Sequence, residues 1–233
     1  MFGKNPLMKK SNGDGSELHI VNGSPFRTIQ GEGPYAGRPA VFLRLHGCNL
    51  ACTFCDTDFS NPDDPVVELS EIMRRIKELF GKEKIKLVVI TGGEPLRQNI
   101  GLLLLELSFI PQAIIQIETA GTLWPHDIYR PVEMVCSPKT PTIHPKVFDR
   151  AVAFKYVIDC EQELDGFIPI TATQADARPA RLAAPRPGAP VYLSPMDTYD
   201  SARNKENIKL VGKLALQYGV NAGLQMHKFF QVD

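Results

Sequence analysis

Six short apolar runs constrain the fold more than any other feature of this chain. They are Ala40–Leu45, Lys86–Thr91, Ala113–Glu118, Val132–Ser137, Ala153–Ile158 and Val191–Ser194. Each has the length and branched or aromatic content of a buried strand. Helical patterns lie between them. Glu68–Phe80 places Leu69, Ile72, Ile76, Leu79 and Phe80 on one face and Glu71, Arg74, Arg75 and Glu78 on the other. Residues 100–109 read as a second helix. Asn204–Tyr218 reads as the closing helix, with Ile208, Val211, Ala215 and Tyr218 inward; Gly81 and Gly219 are placed as stops. Strands joined by crossovers imply a parallel sheet with right-handed connections. A closed eight-unit barrel takes about 250 residues. The expectation is therefore α/β: an open, partial TIM-like barrel of about six strands, one domain over 18–233. The polar, Gly-rich residues 1–17 are expected to be a flexible extension, and Pro- and Ala-rich 165–190 an irregular or lid-like insertion with one short helix.

Three cysteines share one loop directly after the first run: Cys48, Cys52 and Cys55. Three thiolates can hold three corners of a 4Fe–4S cluster, leaving one iron without a protein ligand. Zinc is an alternative. His46, two residues before Cys48, would be its fourth ligand, but no second paired knuckle exists in the chain. An odd count of 5 cysteines, with no apolar core of a signal peptide ahead of them, argues against a disulfide framework. Cys136 and Cys160 read as buried small hydrophobes. Lys+Arg and Asp+Glu are equal at 26 each, so no overall field favours nucleic acid or an anionic membrane. The longest apolar stretch, Ile100 to Ile117, is interrupted by Glu106, Pro111 and Gln112 and does not read as a membrane span. A cytoplasmic protein is expected.

The remaining motifs fall before the first strand or just after strand ends, the latter being the face where α/β sheets and barrels place their sites. They are Thr28-Ile29-Gln30-Gly31-Glu32-Gly33, Cys55-Asp56-Thr57-Asp58, Thr91-Gly92-Gly93-Glu94-Pro95, Ser137-Pro138-Lys139 and Ser194-Pro195-Met196-Asp197. Together with the cysteine loop they resemble the 7-carboxy-7-deazaguanine synthase family, radical S-adenosylmethionine (SAM) enzymes of queuosine and deazapurine biosynthesis. The resemblance spans about 18–233, and the segment from Thr28 to Gly33 is its most specific part.

The resemblance implies a lyase that turns 6-carboxy-5,6,7,8-tetrahydropterin into 7-carboxy-7-deazaguanine with loss of ammonia. Hydrogen abstraction at C6 by a 5′-deoxyadenosyl radical starts the ring contraction, and SAM is regenerated. It implies Cys48, Cys52 and Cys55 as cluster ligands and Thr57 as a ligand of Mg2+. Phe54, Cys55, Asp56, Gly93, Ser137, Pro138, Lys139, Ser194, Pro195, Met196 and Asp197 match positions that contact SAM. The family often has Gln where Ser194 stands, so a backbone contact transfers better there. Ile29, Gln30, Gly31, Glu32, Arg44, Thr91, Glu118 and His227 match the substrate side. Gln30 offers donors and acceptors to a pterin edge, and Arg44 suits a carboxylate. Flavodoxin-like reduction and a homodimer also follow from the family.

Plainer readings stand beside these. Gly93 could mark an ordinary turn, and Lys139 could be a solvated strand-end lysine. Arg44 could pair internally with Glu118 or Glu94. His227 could be structural, and Thr57 part of a turn. The ending Gln231-Val232-Asp233 departs from the proline ending of some family members, which puts any contact from the terminal carboxylate in doubt. A glycyl-radical activase and a zinc-stabilised binding module remain as other functions. The first would need no pterin pocket and the second no iron.

Overall fold

All six expected strands form, side by side and in chain order. The computed structural model describes residues 5–59, 61–81, 85–124, 128, 131–173 and 177–232. Its first half contains β1 (Glu17–His19), β2 (Phe26–Ile29), β3 (Pro39–Leu45), β4 (Val66–Glu68), α1 (Leu69–Phe80), β5 (Leu87–Gly92), α2 (Gly101–Ser108), β6 (Ile114–Thr119) and β7 (Glu133–Cys136). The second half adds α3 (Pro145–Arg150), β8 (Ala151–Ile158), β9 (Glu163–Asp165), β10 (Ile168–Thr171), β11 (Ala180–Arg181), β12 (Val191–Pro195), α4 (Ser201–Tyr218), β13 (Asn221–Ala222) and α5 (Met226–Phe230).

The main sheet has the order β13-β12-β8-β7-β6-β5-β3-β2. Its neighbours pair in parallel except β2, which runs antiparallel along β3. Because the parallel strands follow chain order, the sheet grows in one direction and curls as an unclosed barrel wall. The sequence expectation lacked only the edge strands β2 and β13.

Side-chain alternation assigns the two faces. Val41, Leu43, Leu45, Val88, Ile90, Ile115 and Ile117 join the large core with Ile72 and Ile76 of α1 and Leu103 and Leu107 of α2. Ala40, Leu87 and Val89 face the other way, in a small cluster with Tyr35, Phe42 and Ile114. Since side chains repeat every second residue along a strand, Arg44, Thr91, Glu118 and Lys155 continue the inner face. Polar groups thus occupy the inner face where the strands end.

Several expectations need correction. Residues 163–181 form a three-stranded antiparallel sheet, β11-β10-β9, and no helix lies among the described residues of 165–190. Ile168 and Leu182 enter the main core, and the Phe167 ring packs on Tyr156 and Tyr218. This segment is a flank of the barrel wall rather than a lid. In α4 the buried residues are Asn207, Val211 and Leu214, while Ile208 and Tyr218 are exposed. Asn207 turns the helix that way: it accepts from the Cys160 N–H (2.7 Å) and donates to the Met196 carbonyl (2.9 Å). The helix also starts three residues early, because the Asp200 carboxylate caps the Ala202 and Arg203 N–H groups. Cys136 is buried as expected, but Cys160 is exposed. The described part of residues 1–17 is not a loose extension either: Asn5–Met8 lie along the cysteine loop, Lys9 and Ser11 bond to Arg97, and Asp14 and Ser16 to Asn99 and Leu69. Residues 1–4, 174–176 and Asp233 lie outside the described residues.

Candidate active site

The inner-face residues and the cysteine loop open onto one cleft of about 270 Å3. Its wall includes Cys48, Cys52, Phe54, Cys55, Asp56, Thr57, Thr91, Gly93, Ser137, Lys139, Pro195, Met196 and Asp197. It also includes Ile29, Gln30, Glu32, Arg44, Glu118 and His227. Of the residues expected at the site, Gly31, Pro138 and Ser194 stand behind this wall.

The cysteine loop leaves the end of β3 through Gly47 (φ +81°) and passes over the end of β5. There the Gly93 N–H donates to the Leu45 carbonyl (3.1 Å) and the Glu94 N–H to the Gly47 carbonyl (3.0 Å). A Cβ at Gly93 would lie 2.1 Å from the Gly47 oxygen, so any side chain would push the cysteine loop off the sheet. All three thiols are free and half-buried. Burial pushes the Cys48 thiol up to about 12 and raises Cys52 and Cys55 as well; at Cys55 hydrogen bonds from Thr57 and Asn5 oppose the rise. Buried thiols of this kind become thiolates when a metal supplies the opposing charge.

His46, the candidate fourth zinc ligand, is engaged elsewhere. Its ring is buried, with Nδ1 2.7 Å from the Asp64 carboxylate, and it stacks on His19 at 3.8 Å. Glu94 is also structural. It is fully buried and accepts from the Leu96 and Ala120 N–H groups and the Thr119 hydroxyl, which ties the end of β5 to the end of β6.

Lys139 is not a solvated lysine: it folds back into the cleft wall and donates to the Ser137 hydroxyl (2.5 Å) and carbonyl (3.1 Å). Burial pulls its ammonium below the ordinary lysine range. Asp197 accepts from Lys228 (2.5 Å), Asn204 (2.7 Å) and the Tyr199 N–H (3.0 Å). Burial alone would raise this carboxyl, but these partners hold it down to about 2. The Lys228 contact also anchors α5, on which His227 sits. At Gly31 a Cβ would stand 2.2 Å from the His227 Nδ1 atom. Glycine at 31 is therefore what lets α5 dock, with the Met226 N–H donating to the Gly31 carbonyl (3.3 Å).

The opposite end of the cleft is a connected polar frame. The Gln30 amide donates to Glu118 (3.0 Å) and accepts from the Glu32 N–H (3.2 Å). Glu118 also accepts from Gln116 (3.1 Å) and Thr91 (3.5 Å). Lys155 reaches Glu32 at 2.6 Å and Glu118 at 3.7 Å, with only 8% of its side chain exposed. Burial alone would lower this ammonium; Glu118 and Glu32 outweigh it and hold the group above the ordinary lysine range. Lys155 was not among the residues expected from the sequence. Arg44 pairs with neither Glu118 nor Glu94. Its guanidinium lies 5.1 Å from the Phe26 ring centroid, and among the described residues it makes no salt bridge.

Comparison with known proteins identifies the family. The Radical SAM superfamily pattern matches residues 43–155. A 7-carboxy-7-deazaguanine synthase of Rhodospirillum rubrum is 39% identical over 242 residues, covering 100% of both chains. The chain belongs to the 7-carboxy-7-deazaguanine synthase family. A second relative with that name, from Rickettsia prowazekii, is also 39% identical and covers 100% of this chain and 96% of its own. QueE from Escherichia coli, known from a crystal structure, shares the fold: TM-score 0.63 at 21% identity, over 90% of this chain and 94% of that one. Membership of the radical SAM superfamily brings with it a 4Fe–4S cluster and SAM. The residues fit that pair, since three free thiols face one cleft and the neighbouring histidine is held away from them.

Proposed function

We propose that this protein converts 6-carboxy-5,6,7,8-tetrahydropterin to 7-carboxy-7-deazaguanine with release of ammonia, and that the polar frame opposite the cysteines holds the pterin. The observation that carries this reading is one cleft with thiols at one end and, at the other, an arginine without an acidic partner among the described residues, beside a carboxylate frame. When bound, the cluster and SAM supply a hydrogen-abstracting 5′-deoxyadenosyl radical.

The chain's own part is orientation and exclusion of water. Arg44 presents a planar fork that has no acidic partner among the described residues and is suited to the pterin's carboxylate. The donor edge of the pterin ring calls for an acceptor, and Glu118 is that group. Gln30, expected to grip the ring itself, instead spends its amide on aiming Glu118 and on the Glu32 backbone. Lys155 pairs with Glu118; burial alone would raise the Glu32 carboxyl, but Lys155 holds it below the ordinary carboxylate range. The buried side chains of Leu50 and Phe59 give the cleft an apolar lining near the thiols.

Mg2+ belongs to the same reading. Thr57 lines the cleft and its hydroxyl is 3.1 Å from the Asp56 carboxylate; with the substrate carboxylate and water it would complete an oxygen shell. A flavodoxin-like reductant, a homodimer and a cytoplasmic setting rest on the family relationship. No helix among the described residues is long and apolar enough to cross a membrane. The test is anaerobic turnover of reconstituted protein with this pterin, SAM and a reductant, with and without Mg2+. Formation of 7-carboxy-7-deazaguanine is expected. Deoxyadenosine without any deazapurine would reject the substrate and keep the superfamily.

A further inference from the structure

The loop that carries the cysteines has little structure of its own. Within it the Cys55 N–H donates to the Cys52 carbonyl (3.1 Å) and the Leu50 N–H points at the Cys48 sulfur (3.4 Å). Yet both ends of the loop are fixed, by the segment that precedes β1. Asn5 is only 6% exposed. Its side-chain amide donates to the Thr57 carbonyl (2.7 Å) and accepts from the Phe59 N–H (2.6 Å), a two-pronged grip on the backbone just past the last cysteine. Three residues on, the Met8 N–H donates to the Cys48 carbonyl (2.8 Å), and Leu7 pairs with Cys48 as in a parallel ladder.

Arg97 anchors the far end of this segment. Its guanidinium donates to the Lys9 carbonyl (2.9 Å) and the His46 carbonyl (2.9 Å), while its own carbonyl accepts from the Ser11 N–H (2.8 Å). The fit over the loop is close. A Cβ at Gly47 would stand 2.5 Å from the Met8 sulfur.

We propose that Asn5–Met8 is a positioning strap that sets the distance between the start and the exit of the cysteine loop, and so holds the three thiols at cluster spacing. A three-residue extended step spans about 10 Å, which fixes Cys48 relative to Thr57–Phe59, while Asn5 at its start also hydrogen-bonds the Cys55 thiol. Tying both ends of the loop removes the closure entropy that cluster binding would otherwise have to overcome. Groups that orient metal ligands in this way typically change metal retention by about 10- to 100-fold when lost. The inference rests on Cys48, Cys52 and Cys55 being the cluster ligands.

The test compares the anaerobically reconstituted full chain with Asn5→Ala, Met8→Pro and Lys10→Ala. Met8→Pro deletes the N–H that grips Cys48. Lys10, an exposed residue of the same segment, is the control. Iron and sulfide are followed over time against a chelator, and hydrogen exchange of residues 48–59 is measured in the apo-protein. Expected is iron loss about tenfold faster in Asn5→Ala and Met8→Pro, faster exchange confined to that loop, and wild-type behaviour of Lys10→Ala. Iron retention at the wild-type rate in both variants overturns the strap alone. So does exchange that rises equally across the main sheet, which would mean general destabilisation. A wild-type chain that takes up no iron overturns the ligand reading, and the strap with it.

Discussion

The two ends of the cleft are built differently. At the end we assign to the pterin, Gln30, Glu32, Gln116, Glu118 and Lys155 are linked to one another, with Gln116 and Glu118 on β6 and Lys155 on β8, across β7. That end has its shape before any ligand arrives. The cysteine end is an irregular loop held mainly at its margins, with three thiols whose burial opposes ionisation. The division has a physical reason. Hydrogen bonds to a substrate are weak and must be aimed in advance, whereas bonds to iron are strong enough to finish ordering a loop that the protein fixes only at its two ends. The pterin end should therefore contribute to folding and the cysteine end chiefly to chemistry.

The largest test of that contrast is Cys55→Ala. It should abolish iron retention and turnover together, while the apo-protein's melting midpoint moves by no more than about 2 °C, as for a change in an unpacked loop. Iron and sulfide analysis with a thermal melt of the apo-form decides it. A midpoint that falls by much more would mean that the cysteine end is part of the folded frame.

Lys155→Met is the mirror experiment. It leaves the half-buried carboxylates of Glu32 and Glu118 without their cation. Breaking a buried pair from one side costs about 3–5 kcal/mol, a fall of roughly 6–20 °C in the melting midpoint for a chain of this size. Iron uptake at low temperature should stay near wild type. Adding Glu32→Gln should restore part of the loss, because one of the two stranded charges is gone. Unchanged stability in Lys155→Met would break the contrast from the other side.

Lys155 also shows what the sequence made legible and what it did not. The strands, the cysteine loop and the polar row at strand ends follow from local pattern, because a buried strand and a Gly-Gly turn carry their reasons in a few neighbouring residues. Arg44 stood out as a charge inside an apolar run. Lys155 gives the same signal, a lysine in Ala153–Ile158, and that rule applied evenly would have found it. The strap was not legible: Asn5 matters through backbone groups more than fifty residues away, and a polar, Gly-rich segment looks the same whether docked or loose. The buried face of α4 was misread for a related reason. Asn207 is buried by two long-range hydrogen bonds that no helical periodicity encodes.

Arg44→Lys probes the pterin end without disturbing its frame. The charge stays and the planar fork is lost, so KM for the pterin should rise on the order of thirtyfold, about 2 kcal/mol. Uncoupled SAM cleavage without pterin should be unchanged. Steady-state kinetics read alongside deoxyadenosine release in the absence of pterin separate the two. Equal losses in both would move Arg44 from substrate recognition to the cofactor side.

The smallest expected effect concerns α5, the helical part of the pterin end. His227 is half-buried against Gly31, and burial pulls its pKa below 6.5; the nearby Lys228 and Arg44 cations add to that, while Glu32 and Asp56 oppose it. The docked helix therefore favours the neutral ring. Above pH 6.5 the ring is neutral whether docked or free, and docking carries no protonation penalty. As pH falls below 6.5 the undocked ring takes up a proton first, so docking weakens progressively toward the lower pKa of the docked state. Between pH 7.5 and 5.5 KM for the pterin should climb by about threefold more than in His227→Gln, in which titration of the substrate itself is unchanged and only the imidazole is missing. Parallel pH profiles of the two proteins would place His227 outside the docking contact and leave Asp197 and Lys228 as the groups that hold α5 over the cleft.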